Sequence, residues 1–227
     1  MIKRRDFLAS AAIGGVALAA PSRLAAQAAP DPHTRAILDL ARKQIGRAGD
    51  ALWRKDVAAI VDFGVHSAVP RFHIADLEAG TVSSKLVTHG QGSDPEHDGW
   101  LNWFSNVPQS LCSSRGAYIS WQWYEGKYGT SMRMGGLDDT NSNVYPRAIV
   151  MHPAEYATPE HLERWGILGR SDGCFAIGPA DFPEALARLA GGRLIYADTL
   201  GIRSDGSLRP RPLLHKDMSA ADLAALG

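Results

Sequence analysis

A thiol and an imidazole are placed to work together in this chain. Cys174 lies in the run Gly169-Arg170-Ser171-Asp172-Gly173-Cys174-Phe175-Ala176-Ile177, and His152 ends Arg147-Ala148-Ile149-Val150-Met151-His152, twenty-two residues upstream. An imidazole beside a thiol can take its proton and so generate the nucleophile that attacks a carbonyl. Gly173 removes a side chain next to the sulfur, which lets a substrate carbonyl approach the backbone. The N–H groups of Gly173 and Cys174 are then the expected donors to a developing oxyanion. Pro153 biases His152 toward an extended conformation, as suits an imidazole at the end of a strand.

Other residues compete with that reading. Cys112, in Ser110-Leu111-Cys112-Ser113-Ser114-Arg115, is the only other cysteine, and in an exported chain the two could form a disulfide. His89, Asp94, His97 and Asp98 crowd one loop and, with His152, could ligate zinc as in a zinc-dependent cell-wall peptidase. Their spacing matches no compact zinc motif, so no metal and no cofactor is expected and a solvated acidic loop is the plainer account. Trp121 and Trp123 fall on one face of a predicted strand and are expected inside, whereas Trp100 and Trp103 lie in a loop and are candidate substrate contacts. Arg133 and Arg147 flank the motif on predicted strands. Either can clamp a carboxylate in bidentate fashion or serve a structural ion pair.

Several stretches together resemble the murein L,D-transpeptidase catalytic-domain family, the YkuD-like cysteine transpeptidases. They are Tyr124-Glu125-Gly126-Lys127-Tyr128-Gly129, Arg133-Met134-Gly135-Gly136-Leu137, Arg147 to His152 and Gly169 to Cys174, with a fainter likeness through His89-Gly90-Gln91-Gly92-Ser93 and Phe104-Ser105-Asn106. The likeness covers roughly residues 70 to 200. It implies a cysteine enzyme acting on peptidoglycan stem peptides, with Cys174 as nucleophile, His152 as base, Ser171 and Gly173 framing the site, and Arg170 beside it. His89 would then sit at the mouth of the site and contact substrate. Where the family often carries a second histidine before the Gly-Cys pair, this chain has Asp172. A carboxylate there opposes ionisation of the thiol unless Arg170 offsets it or it points away. The acylated enzyme could pass its acyl group to an amine (L,D-transpeptidation), to water (L,D-carboxypeptidase or endopeptidase) or to a protein lysine. A non-catalytic wall-binding module is the remaining alternative.

The elements that must position these groups read as mainly β with a few helices, a β-sandwich or open barrel of the L,D-transpeptidase type. About seven strands are predicted, over 71–77, 81–89, 116–124, 130–135, 147–152, 174–177 and 193–199. Helical spacing predicts two N-terminal helices, over 34–47 and 52–61, and further helices over 159–165, 180–190 and 219–226. The chain divides into a signal segment (1–28), an N-terminal helical layer (29–69), a catalytic domain (70–200) and a tail (201–227).

The first residues, Met1-Ile2-Lys3-Arg4-Arg5-Asp6-Phe7-Leu8, set a basic pair before a modest apolar run to Ala20, and Ala26-Gln27-Ala28 offers small residues for cleavage. That pattern is a signal of twin-arginine type, too short and too rich in Ala and Gly for a comfortable membrane span, and it predicts a periplasmic protein. Removing residues 1–28 takes away Lys3, Arg4, Arg5 and Arg23 against Asp6 alone, which leaves 20 basic and 23 acidic side chains and a net charge of −3. Such a surface argues against nucleic acid as a partner. With 45% apolar residues the chain can bury a core of its own.

Overall fold

Eight strands form one mixed sheet in the computed structural model, which describes residues 29–214 and 217–225. The predicted export signal lies outside the described residues. The strands are β1 (Val57–Asp62), β2 (Phe72–Asp76), β3 (Thr81–Lys85), β4 (Gly116–Gly126), β5 (Gly129–Gly136), β6 (Val150–Pro153), β7 (Phe175–Ile177) and β8 (Leu194–Asp198). Their order is β3-β2-β1-β8-β4-β5-β6-β7, with β1–β8 and β6–β7 parallel and the other pairs antiparallel.

The two edges of this sheet meet. Beyond β3 the chain runs alongside β7, where the Thr88 N–H donates to Ala176 O at 3.0 Å and the Ser171 N–H donates to His89 O at 3.0 Å. Gly90 and Ser171 form an isolated bridge between the same segments. A single sheet curling back on itself is the open-barrel alternative, and the sandwich of two facing sheets is not what forms. This seam also sets the segment around Cys174 against the loop that follows β3.

Alternation along the strands fills two layers. Val57, Ala59 and Val61 of β1 join Phe72, Tyr118, Met132, Met151, Phe175 and Ile195 in the barrel interior. On the outer side, helix α1 (Pro32–Ala48) lays Ile37, Leu38, Ala41 and Ile45 over Ala58, Ile60, Ala117 and Leu194. Asp31 caps that helix by accepting from the Thr34 N–H at 3.0 Å. Helix α3 (Phe182–Leu189) packs Phe182, Ala185 and Leu189 on the interior cluster, while α2 (Pro159–Trp165) and α4 (Ala220–Ala224) are short. Among the described residues no helix is long and apolar enough to cross a membrane.

The predicted second N-terminal helix does not form, because residues 57–62 are strand β1. Every residue of β1 is buried, one face under the barrel interior and the other under α1. A strand covered on both sides has no polar alternation, so its apolar residues mimic helical spacing. Trp53, inside that predicted helix, is 67% exposed. Strand β6 starts three residues later than predicted. Ala148 holds φ at 53°, which interrupts the extended chain between Arg147 and Val150.

Candidate active site

Parallel pairing of β6 with β7 places the two reactive side chains. Met151 pairs with Phe175 and both point into the core, so the residues flanking them face the other way. His152 sits opposite Ala176, and Cys174, just before β7, lies alongside Val150. The thiol and the imidazole therefore share one face of two adjacent strands, a diagonal step apart. Both are buried, at 7% and 1% exposure, and Cys174 and Cys112 are both free thiols. The disulfide alternative is thus overturned.

The resting sulfur is held by backbone. It accepts from the Val150 N–H at 3.5 Å and donates to Ala148 O at 3.8 Å, with no hydrogen bond to His152. His152 has its Nδ1 3.0 Å from Pro153 O, an acceptor only, so Nδ1 carries the proton and Nε2 is left as the base. Tyr128 stacks flat on the imidazole, ring centroids 4.3 Å apart. Burial pushes the Cys174 thiol up to about 11; the Val150 N–H and Arg147 oppose this and Asp172 adds to it. Burial also lowers the basicity of His152, against the pull of Pro153 O. Both shifts favour the neutral pair over thiolate and imidazolium.

Ser171 and Gly173 build the turn rather than face a substrate. The Ser171 hydroxyl donates to Cys174 O at 2.7 Å and accepts from the Gly173 N–H at 3.3 Å. The Gly173 amide is therefore engaged, contrary to the expectation of two free oxyanion donors. Gly173 has φ +107°, and a Cβ on it would stand 2.5 Å from Cys112 O, so only glycine fits against the 111–113 segment. Gly90 meets the same segment, where its Cβ would fall 2.2 Å from Leu111 O.

The arginines divide. Arg147 is no free clamp and lies on no strand. Its guanidinium donates to Ser105 O and Ser114 Oγ at 2.7 Å each, to Cys112 O at 2.6 Å and to Ser110 Oγ at 3.1 Å, pinning the 105–114 loop beside Cys174. Arg170 donates to the carbonyls of Asp94 and Pro95 and so does not offset Asp172. Asp172 is exposed and takes one hydrogen bond, from Gln91 Nε2 to Oδ1 at 2.6 Å. Arg133 stays available: its guanidinium lies 4.2 Å above the Tyr124 ring, in a cleft of about 250 Å³ that also includes Tyr145 and the 148–150 backbone holding the sulfur.

His89 is not at the mouth of the site. It is buried at 1% exposure, with Nδ1 accepting from Arg71 Nη2 at 2.7 Å and Nε2 donating to Asp94 Oδ2 at 3.1 Å. Burial drives its pKa down to about 4, so the ring is neutral. With both nitrogens spent, His89 has no lone pair to give to zinc, and His97 has its Nε2 3.1 Å from Leu168 O. Among the described residues no group of three or more His, Cys, Asp or Glu could hold a metal ion.

The tryptophans also depart from expectation. A register shift in β4 between Ser120 and Trp123 turns Trp123 outward to 59% exposure, and Trp103, expected at the surface, is buried with Cys112 and Met218. Sequence reasoning missed Tyr128, Gln91 and Arg71. An aromatic at the tip of Gly126-Lys127-Tyr128-Gly129 has no core to enter, which was a readable signal. Nothing local marked the other two.

Residues 33–197 match the family model of the L,D-transpeptidase catalytic domain. The chain belongs to the L,D-transpeptidase catalytic-domain family. It is similar to an L,D-transpeptidase from Mycobacterium smegmatis at 13% identity and TM-score 0.39, covering 63% of this chain and 58% of that one. It is also similar to the LD transpeptidase LdtMt1 in complex with imipenem, at 12% identity and TM-score 0.37 over 63% of this chain and 58% of that one. The helical cell shape determining protein Pgp2 from Campylobacter jejuni gives 12% identity and TM-score 0.40 over 73% and 56%. The chain thus spans less than two thirds of the length of these structures. No curated protein matches it. Within the L,D-transpeptidase domain matched here lie Cys174, His152, Tyr128 and Asp172 alike.

Proposed function

We propose that this protein is an exported cysteine acyltransferase of peptidoglycan, in which Cys174 is acylated by a stem peptide and the acyl group passes to an amine. One observation carries the reading: Cys174 and His152 face the same side of adjacent parallel strands, with the imidazole tautomer fixed by Pro153 O so that Nε2 is the free base.

In this reading the thiol swings from Ala148 O toward Nε2, which takes its proton as the sulfur attacks the carbonyl preceding the terminal D-residue. A neutral resting pair calls for this transfer to accompany attack, because burial disfavours a preformed ion pair. The Cys174 N–H supports the developing oxyanion, Gly173 being committed to Ser171 Oγ. His152 then returns the proton to the departing amine, leaving a thioester. Arg133, beside the backbone that holds the sulfur, binds a carboxylate of the donor stem. Periplasmic location follows from the predicted export signal.

The test is the intact mass of the protein after incubation with a carbapenem. A stoichiometric adduct on the wild type, absent from Cys174→Ala, is the expected result. An equal adduct on Cys174→Ala, or turnover of stem peptide by that variant, overturns the assignment.

A further inference from the structure

Ala148 holds φ at 53°, the left-handed region that a residue with a Cβ enters only when its surroundings impose it. Three backbone bonds impose it. The Arg147 N–H donates to Asn143 O at 2.9 Å, the Ala148 N–H to Tyr145 O at 3.0 Å and the Ile149 N–H to Val144 O at 3.0 Å. The Ala148 side chain gains little packing from this turn, since the residue is exposed. What the conformation does place is a carbonyl. Ala148 O accepts the Cys174 thiol hydrogen at 3.8 Å, and two residues on the Val150 N–H donates to the same sulfur at 3.5 Å.

A thiol has one hydrogen, and here it is directed at a carbonyl instead of at His152. A carbonyl oxygen accepts only from protonated sulfur, so this contact stabilises the neutral thiol and is lost on ionisation. Burial also favours the neutral form, but burial fixes no direction for the S–H bond. The turn through Ala148 does.

We propose that Ala148 is a positioning residue for the nucleophile: its left-handed backbone aims its carbonyl at Cys174 and parks the thiol, protonated, off His152. The inference builds on Cys174 as the acylated nucleophile and adds a guard on its resting state. A parked thiol is shielded from small electrophiles and reacts once its hydrogen leaves Ala148 O for His152 Nε2. Only that proton moves, from sulfur to nitrogen.

Two substitutions separate the backbone conformation from the side chain. Glycine takes positive φ freely, so Ala148→Gly is expected to keep the parked thiol. Valine is β-branched and resists positive φ, so Ala148→Val is expected to turn the chain and withdraw the carbonyl. The first readout is the infrared S–H stretch of Cys174, taken as each protein minus its own Cys174→Ala counterpart so that Cys112 cancels. A hydrogen-bonded band is expected in wild type and Ala148→Gly, and a free-thiol band in Ala148→Val. The second is alkylation by iodoacetamide at neutral pH, expected to be about tenfold faster in Ala148→Val than in wild type, as a fall of one unit in the thiol pKa gives.

A free-thiol band in wild type overturns the proposal by itself, whether or not Ala148→Val folds. So does a folded Ala148→Val in which either readout matches wild type, because a purely structural role would lower Tm and leave the sulfur unchanged. Both readouts are taken on the free protein. A wild type that forms no carbapenem adduct therefore counts against acylation of Cys174, and the S–H band still decides where the thiol rests.

Discussion

The phenol ring of Tyr128 lies stacked on the imidazole of His152, with planes 17° apart, while Pro153 O takes the hydrogen on Nδ1. One contact fixes the face of the ring and the other its tautomer, so Nε2 points in one direction. Tyr128 reaches this position from the hairpin tip between β4 and β5 and is itself 41% exposed. Its hydroxyl is not needed for stacking. Tyr128→Phe is therefore expected to retain activity, and Tyr128→Ala to lose about tenfold in kcat through a looser base. Because burial lowers the His152 pKa, uncovering the ring also raises it, and the acid limb of kcat/KM in Tyr128→Ala moves to higher pH. An unmoved limb would show that the ring does not shield the base.

The sulfur makes a second prediction. With its pKa pushed up to about 11, the free enzyme carries almost no thiolate at neutral pH. Alkylation by iodoacetamide is expected to be slow there and to rise about tenfold per pH unit up to that value. Asp172→Asn removes one contribution to the shift and is expected to speed alkylation severalfold. A rate that is flat from neutral pH upward would instead reveal a preformed ion pair with His152.

Gly173 carries a third. Its φ of +107° and the 2.5 Å approach of Cys112 O leave no place for a methyl group. Gly173→Ala is expected to cost about 2 kcal/mol or more in stability and to abolish the carbapenem adduct, since the turn carrying the sulfur must move. Thermal unfolding and intact mass measure the two effects. A variant with native Tm and normal acylation would mean that the 111–113 segment yields readily.

The chemistry of the site was more legible in the sequence than its support. Gly173 and Cys174 stand in one contiguous motif and His152 ends another twenty-two residues upstream, and strands β2 and β3 announce themselves by alternation. Strand β1 does not, because α1 covers the face that would otherwise be polar. His89 looks like a ligand in a polar loop, yet it is buried between Arg71 and Asp94, partners eighteen residues before it and five after. The role of Arg147 depends on four oxygens from the 105–114 loop that meet only once the barrel closes. Lysine has neither the reach nor the number of planar donors to replace them. Arg147→Lys is thus expected to cost about 3 kcal/mol and to slow acylation as the loop beside Cys174 loosens, measured by urea unfolding and the rate of adduct formation.

Acid sensitivity of the fold follows from the buried imidazoles. His73, hydrogen-bonded through Nδ1 to Ser84 Oγ at 2.8 Å, and His89 both have their pKa driven by burial to about 4, below the 6.5 of an unfolded histidine. Between those values the unfolded chain binds protons that the folded one refuses. Their contribution is therefore whole above about pH 6.5 and is lost as the pH falls toward 4, each ring accounting for up to about 3 kcal/mol. The lowering of His152 acts with the same sign. Urea midpoints measured from neutral pH down to about 5 are expected to decline steadily, and His73→Gln, which cannot be protonated, to flatten part of that decline. A wild-type midpoint that holds constant over this interval would mean that water or a local opening lets these rings take up protons without unfolding the barrel.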